Sequence, residues 1–175
     1  AVPPEKAKNL IQHGVLPLDA REGSAFGAGH LPGSLQVGFG PRFSSWVGSV
    51  GNPEEVYLLV LESPGDYPEV RRRLLRIGFD RIAGYLEGGI EAWRREGLPI
   101  EILPLITAEE LHRRMEAGEE RPLVLDVRTQ AEVAGGSLPQ AVHIPVDEVA
   151  ARLDEIAAKV GGDKTKPIAV YCASG

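Results

Sequence analysis

Apolar residues fall into short continuous runs separated by stretches with helical spacing. Val56 to Leu61 is apolar without interruption, the pattern of a strand buried on both faces. Shorter runs at Val15–Leu18, Leu35–Val37, Phe79–Tyr85, Leu123–Leu125, Val142–Ile144 and Ile168–Tyr171 also predict strands. Between them, Glu5–His13 carries Leu10 and Ile11 on one side and stops at Gly14, and Arg42–Val47 predicts a short helical segment. Pro68–Ile77 has proline in its first turn and Arg71, Arg72, Arg73 and Arg76 along it, most simply a solvated face. Gly88-Gly89 opens a helix over Ile90–Glu96, which Gly97 ends. Thr107 and Glu110 predict a capping box for a helix over Ala108–Ala117 that Gly118 terminates. Asp147 is expected to cap a helix with Val149, Leu153, Ile156 and Val160 at helical spacing. Glu22–Gly40 is rich in glycine and proline and predicts mostly loop. Strands alternating with helices point to an α/β fold with parallel sheets.

The chain matches itself when shifted by about 107 positions. Leu16 to Arg21 then lies over Leu123 to Arg128, so that Asp19-Ala20-Arg21 meets Asp126-Val127-Arg128. Gly29-His30-Leu31-Pro32-Gly33-Ser34 lies over Gly136-Ser137-Leu138-Pro139-Gln140-Ala141. After a small length difference, Tyr57–Leu61 is expected over Pro167–Tyr171, which sets Glu62 opposite Cys172. Two copies of one fold follow, over residues 1–100 and 101–175, with Ile100–Pro104 as the connector. The first copy is expected complete and the second to break off just after Cys172, as a piece of a longer polypeptide would.

Composition narrows the chemistry. The 175 residues are 43% hydrophobic, enough for a packed core. A net charge of −6, with no Lys/Arg-rich run, disfavours nucleic acid and anionic membranes as partners. No apolar stretch approaches the ~20 residues that span a bilayer. The four histidines, His13, His30, His112 and His143, are scattered, and no cluster has metal-ligand spacing, so neither a metal nor a cofactor is expected. His30 reads as a loop-fixing hydrogen-bond partner. The single cysteine cannot close an internal disulfide and fits a reducing, cytoplasmic setting.

Cys172 is the sharpest chemical feature. A buried strand delivers it into Ala173-Ser174-Gly175, small residues that let successive N–H groups curl toward one sulfur or a bound oxyanion. Such a setting makes a thiol a nucleophile; a buried structural cysteine is the bland alternative.

The motif set Asp-x-Arg, Gly-His-x-Pro-Gly-Ser (Gly29 to Ser34), an apolar strand, and Leu86-Glu87-Gly88-Gly89-Ile90-Glu91-Ala92-Trp93 resembles the rhodanese-like (sulfurtransferase) domain. Val170-Tyr171-Cys172-Ala173-Ser174-Gly175 resembles its active-site strand and loop, although Ser137 and Gln140 stand where the family usually has His and Gly. The resemblance implies two rhodanese-like domains, each a parallel sheet flanked by helices, the second truncated at its active-site loop. It implies that Cys172 takes sulfane sulfur from a small sulfur-containing anion such as thiosulfate, or from a persulfide donor, and passes it to a thiol or cyanide acceptor. Ala173, Ser174 and Gly175 would begin the amide cradle and Asp126 would sit near the substrate; for Arg128 and the Asp19/Arg21 pair, a structural ion pair is the alternative. The first copy, with Glu62 at the cysteine position and Asp66 nearby, would be catalytically silent. The arrangement also resembles the C-terminal part of metallo-β-lactamase-fold–rhodanese fusions, of the persulfide dioxygenase type, which implies an upstream metal-binding domain. Two other functions suit the same residues: a non-catalytic docking or regulatory module of such an enzyme, and phosphatase- or arsenate-reductase-like oxyanion chemistry at Cys172.

Overall fold

The computed structural model describes residues 1–117, 121–163 and 165–173. The chain divides into two compact units, Ala1–Leu105 and Ile106–Gly175.

In the first unit the order is α1 (Pro4–Gln12), β1 (Leu16–Asp19), α2 (Gly23–Ala28), β2 (Leu35–Gln36), α3 (Phe43–Val50), β3 (Tyr57–Val60), α4 (Tyr67–Leu75), β4 (Ile82–Tyr85) and α5 (Gly89–Arg95). The strands form one parallel sheet in the order β2-β1-β3-β4. Because side chains alternate across a strand, β3 feeds two cores. Tyr57 and Leu59 join Leu18, Val37, Phe43, Val47, Val70, Leu74 and Phe79. Leu58 and Val60 join Val2, Ala7, Leu31, Leu86, Trp93 and Leu98. All four β3 side chains are buried, which is why its sequence shows no alternation.

The second unit contains α6 (Ala108–Glu116), β5 (Leu123–Asp126), α7 (Gln130–Val133), β6 (Val142–His143), α8 (Leu153–Lys159) and β7 (Ile168–Tyr171). Its described strands form a parallel sheet in the order β6-β5-β7. Leu125, Ile144 and Ile156 make its core, with Leu123, Val127, Val142 and Val149 packed around them.

Several local expectations change. Gly23–Ala28 is helical within the stretch expected to be loop, and it places Phe26 in the interior. The strand expected from Phe79 begins only at Ile82, because Phe79 is used as a core side chain packed on Tyr57. Asp147 caps nothing; α8 starts at Leu153 behind a 3-10 turn over Ala150–Arg152. Thr107 does accept the Glu110 N–H, but the Glu110 carboxylate pairs with Arg113 and Arg114 instead of closing the box. The reciprocal capping box forms at Thr129 and Glu132. Gly118, expected to end α6, lies outside the described residues.

The connector of residues 100–104 is bound to the first unit. His30 and Glu101 exchange both backbone hydrogen bonds, and Leu103 N–H donates to the Gly27 carbonyl. A Cβ on Gly27 would come within 2.7 Å of the Leu103 oxygen, so this close approach requires glycine.

The two sheets repeat at the level of register. Leu18 and Asp19 face Leu35 and Gln36, and Leu125 and Asp126 face Val142 and His143. On the other side, Asp19 faces Val60 and Asp126 faces Tyr171. Residue 172 is therefore the counterpart of Leu61, not of Glu62, one position away from the sequence alignment. An uninterrupted apolar strand offers no alternation to fix its register, and a slip of one residue moves every side chain to the opposite face. Backbone conformation repeats too: Gly33 has φ 72° and its counterpart Gln140 has φ 67°, a left-handed conformation that strains a residue with a Cβ.

Both tryptophans, Trp46 and Trp93, lie in the first unit, so indole fluorescence reports that unit alone. Arg21 is 5% exposed and its partner Asp19 fully buried; Arg21→Ala strands the carboxylate and should cost the first unit about 3–5 kcal/mol in urea unfolding followed by that fluorescence. In the second unit, Gln140→Gly should relieve strain and add stability of under about 1 kcal/mol, read as slower amide exchange across Leu123–Asp126.

Candidate active site

The site is built around the carboxyl end of the middle strand of each unit. Asp19 and Asp126 are both fully buried, where an ionised carboxylate survives only if paired and hydrogen-bonded. In the first unit Arg21 grips Asp19 through Nε at 2.9 Å and Nη2 at 2.6 Å, and its own N–H adds a bond of 3.0 Å. Arg21 Nη2 also donates to the Gly29 carbonyl at 2.9 Å, and Gln36 Nε2 donates to the Arg21 carbonyl at 3.0 Å. The second unit reproduces each contact: Arg128 Nε and Nη2 at 2.9 and 2.7 Å from Asp126, Nη2 at 2.8 Å from the Gly136 carbonyl, and His143 Nε2 at 2.8 Å from the Arg128 carbonyl. The fork thus ties the strand end to the returning loop and to the neighbouring strand. These are ion pairs of the structural kind that the sequence offered as the alternative role for Arg21 and Arg128.

The second unit adds one component. Tyr171, the last residue of β7, donates its hydroxyl to Asp126 Oδ2 at 2.6 Å and accepts the Leu138 N–H at 3.2 Å. The Arg128 guanidinium lies over its ring, 5.3 Å from the centroid. Val60 occupies the corresponding place in the first unit, with no polar group to offer. Sequence reading did not single out Tyr171, because it aligned that residue with Leu61; its correspondence to Val60 emerges only from the register of the sheets. The Arg128 guanidinium, followed by the Tyr171 hydroxyl, holds the Asp126 carboxyl well below the usual carboxylate range, against the opposing effect of burial. Reciprocally, Asp126 keeps the Arg128 guanidinium above its ordinary value.

Cys172 follows immediately and is half-buried. Its counterpart Leu61 packs in the core that contains Leu18, Ala20 and Leu59, not with Val60 and Leu58. By the same alternation Cys172 belongs to the face opposite Tyr171 and Asp126. The carboxylate of Asp126, expected from the sequence near the substrate, is enclosed by Arg128 and Tyr171. Ala173 is exposed in the turn after Cys172; Ser174 and Gly175, expected in the amide cradle, lie outside the described residues. Among the described residues no group of three or more His, Cys, Asp or Glu is placed to hold a metal ion, and no helix is long and apolar enough to cross a membrane.

In the first unit the equivalent loop runs Leu61-Glu62-Ser63 into a 3-10 turn over Pro64–Asp66, where Ser63 Oγ accepts the Gly65 N–H at 3.2 Å. Leu61 is 7% exposed and carries no heteroatom. His30 stacks on Phe26 at 3.7 Å, its Nδ1 lies 3.0 Å from the Phe26 carbonyl and its Nε2 3.7 Å from Glu101. Its ring thus fixes the loop.

The rhodanese-like domain family matches residues 3–96 and 107–175, and the chain belongs to that family, with two copies of its domain. A sulfurtransferase of Allochromatium vinosum is 36% identical over 70 residues, covering 40% of this chain and 59% of that protein. The HTH-type transcriptional regulator Rv0324 of Mycobacterium tuberculosis is 43% identical over 67 residues, covering 38% of this chain and 26% of the regulator. The chain therefore matches 59% and 26% of the lengths of these two relatives. Among solved structures, the Alr3790 protein from Anabaena sp. superposes with a TM-score of 0.53 at 18% identity, over 63% of this chain and 98% of that one, a likeness of fold.

Because the folded-state value of Asp126 is depressed, its stabilising effect is complete above the ordinary carboxylate pKa of about 4. It is lost progressively as pH falls below that toward the folded value. Amide-exchange protection across Leu123–Asp126 should decline with acid in that window, and Asp126→Asn should lower protection at neutral pH while flattening the acid limb.

Proposed function

We propose that the second unit is a sulfurtransferase that carries sulfane sulfur on Cys172. The observation that carries this reading is the sole cysteine at the end of a strand tied by the buried fork, in a chain of the rhodanese-like family with a sulfurtransferase relative. The Cys172 thiolate attacks the outer sulfur of thiosulfate, forming a sulfur–sulfur bond while sulfite departs with the electron pair of the bond that breaks. A persulfide donor reacts alike, with a thiolate leaving. An acceptor thiolate or cyanide then attacks the terminal sulfur of the Cys172 persulfide, takes that atom, and returns Cys172 as a thiolate. No net oxidation is required.

Ala173, Ser174 and Gly175 would supply backbone N–H groups to the sulfur and its anionic donor, and Asp126 acts from beneath, holding the strand end. The first unit is catalytically silent in this reading, because Leu61 replaces the cysteine and Glu62 and Asp66 would repel an anion. The resemblance to metallo-β-lactamase-fold–rhodanese fusions supports an upstream domain that supplies the persulfide, and the sole thiol supports a cytoplasmic setting. A docking or regulatory module is the second reading, favoured by the match to a transcriptional regulator.

The intact mass of the protein after thiosulfate or polysulfide treatment, beside a Cys172→Ser control, tests the proposal. A gain of one sulfur atom in the unaltered protein alone, lost again on adding cyanide or a thiol, is expected. No gain with either donor would overturn the reading, leaving the docking module or oxyanion chemistry at Cys172.

A further inference from the structure

Three segments meet around the Asp126 carboxylate, two of them bonded to it directly and the loop through Arg128 and Tyr171. The end of β5 contributes Asp126 itself and Arg128, the loop before β6 contributes the Gly136 carbonyl and the Leu138 N–H, and β7 contributes the Tyr171 hydroxyl. The phenol is the junction. It donates to Asp126 at 2.6 Å, which leaves an oxygen lone pair to accept from Leu138 at 3.2 Å, so both of its hydrogen-bonding roles are filled. A hydrogen bond to an ionised acceptor is shorter and stronger than a neutral one, and the Arg128 guanidinium over the ring limits its rotation. On the backbone, Val127 N–H donates to the Tyr171 carbonyl at 3.1 Å. The residue immediately before Cys172 is thus held through its main chain, its ring and its hydroxyl.

The first unit supplies an internal comparison. It has the same carboxylate, the same forked arginine and the same loop carbonyl, with nearly identical distances. It has Val60 in place of the tyrosine and Leu61 in place of the cysteine. The fork is therefore common to both copies, and the phenol is the addition found in the copy that carries the thiol.

We propose that Tyr171 is a positioning residue for Cys172, its hydroxyl fixing the main-chain direction from which the thiol and the following loop depart. The proposal rests on Cys172 being the reactive group of the second unit. Hydroxyl loss leaves the fork intact and lets the strand end move relative to the loop. Small displacements of a reacting group can cost up to about 100-fold in rate.

The test is Tyr171→Phe, which keeps the ring and removes only the hydroxyl. Two readouts are taken on the same protein: the rate constant for alkylation of Cys172 by iodoacetamide at neutral pH, and the time course of persulfide loading across a polysulfide concentration series. Alkylation should slow about tenfold. Loading should lose about tenfold in its limiting rate, with the half-saturating polysulfide concentration changed less than about twofold. Amide exchange across Leu123–Asp126 should remain within about threefold of the unaltered protein. Alkylation at the unaltered rate would overturn the proposal, as would a slowing matched by collapse of exchange protection, which marks a merely structural role. If the unaltered protein takes up no sulfur, the sulfurtransferase reading fails, and the alkylation comparison still decides the role of Tyr171.

Discussion

A carboxylate and a guanidinium, both withdrawn from water, meet where the middle strand of each sheet ends. Asp19 and Asp126 are inside the protein because they continue strands whose other residues are core, and neither could remain ionised there alone. Arg21 and Arg128 resolve this by folding back over two residues, placing two donors on the carboxylate and spending a third interaction on the carbonyl of the returning loop. The arginine carbonyl then receives Gln36 or His143 from the adjacent strand. One charged pair thereby fixes the strand end, the loop and the next strand. Removing either partner would leave the other charge buried and unpaired.

What is built on that scaffold differs between the two copies. In the first, β3 is closed on both sides by neighbouring strands, Val60 and Leu61 complete its cores, and the loop beyond turns through Pro64–Asp66 into α4. In the second, a phenol reaches across to the buried carboxylate and a thiol follows it. A family fold hosts more than one function, and function has to be argued from the site; here the copies share the fork and differ at the two adjacent positions Val60/Tyr171 and Leu61/Cys172 that follow it across the sheet.

The same frame explains why the connector stays with the first unit. Arg21 holds the Gly29 carbonyl, His30 is pinned on Phe26, and Gly27 leaves room for the Leu103 oxygen. The loop that the fork organises on its inner side therefore presents an ordered edge on its outer side, and Glu101 and Leu103 pair with it.

The α/β class, the twofold repeat, the Asp-x-Arg pairs and the cysteine at the end of a strand were all legible in the sequence, because each is a local pattern: apolar runs, helical spacing, and identical residues at a fixed offset. Three features were decided only by tertiary structure. The counterpart of Cys172 is Leu61, because the register of two uninterrupted apolar runs, β3 and β7, is set by cross-strand pairing and leaves no trace in their apolar pattern. The enclosure of Asp126 was decided there too, because burial and the approach of Arg128 and Tyr171 surround its carboxylate in a way that spacing alone does not show. The Tyr171 junction joins residues 45 apart in the chain, and a hydrogen bond at that separation exists only once β5 and β7 lie side by side.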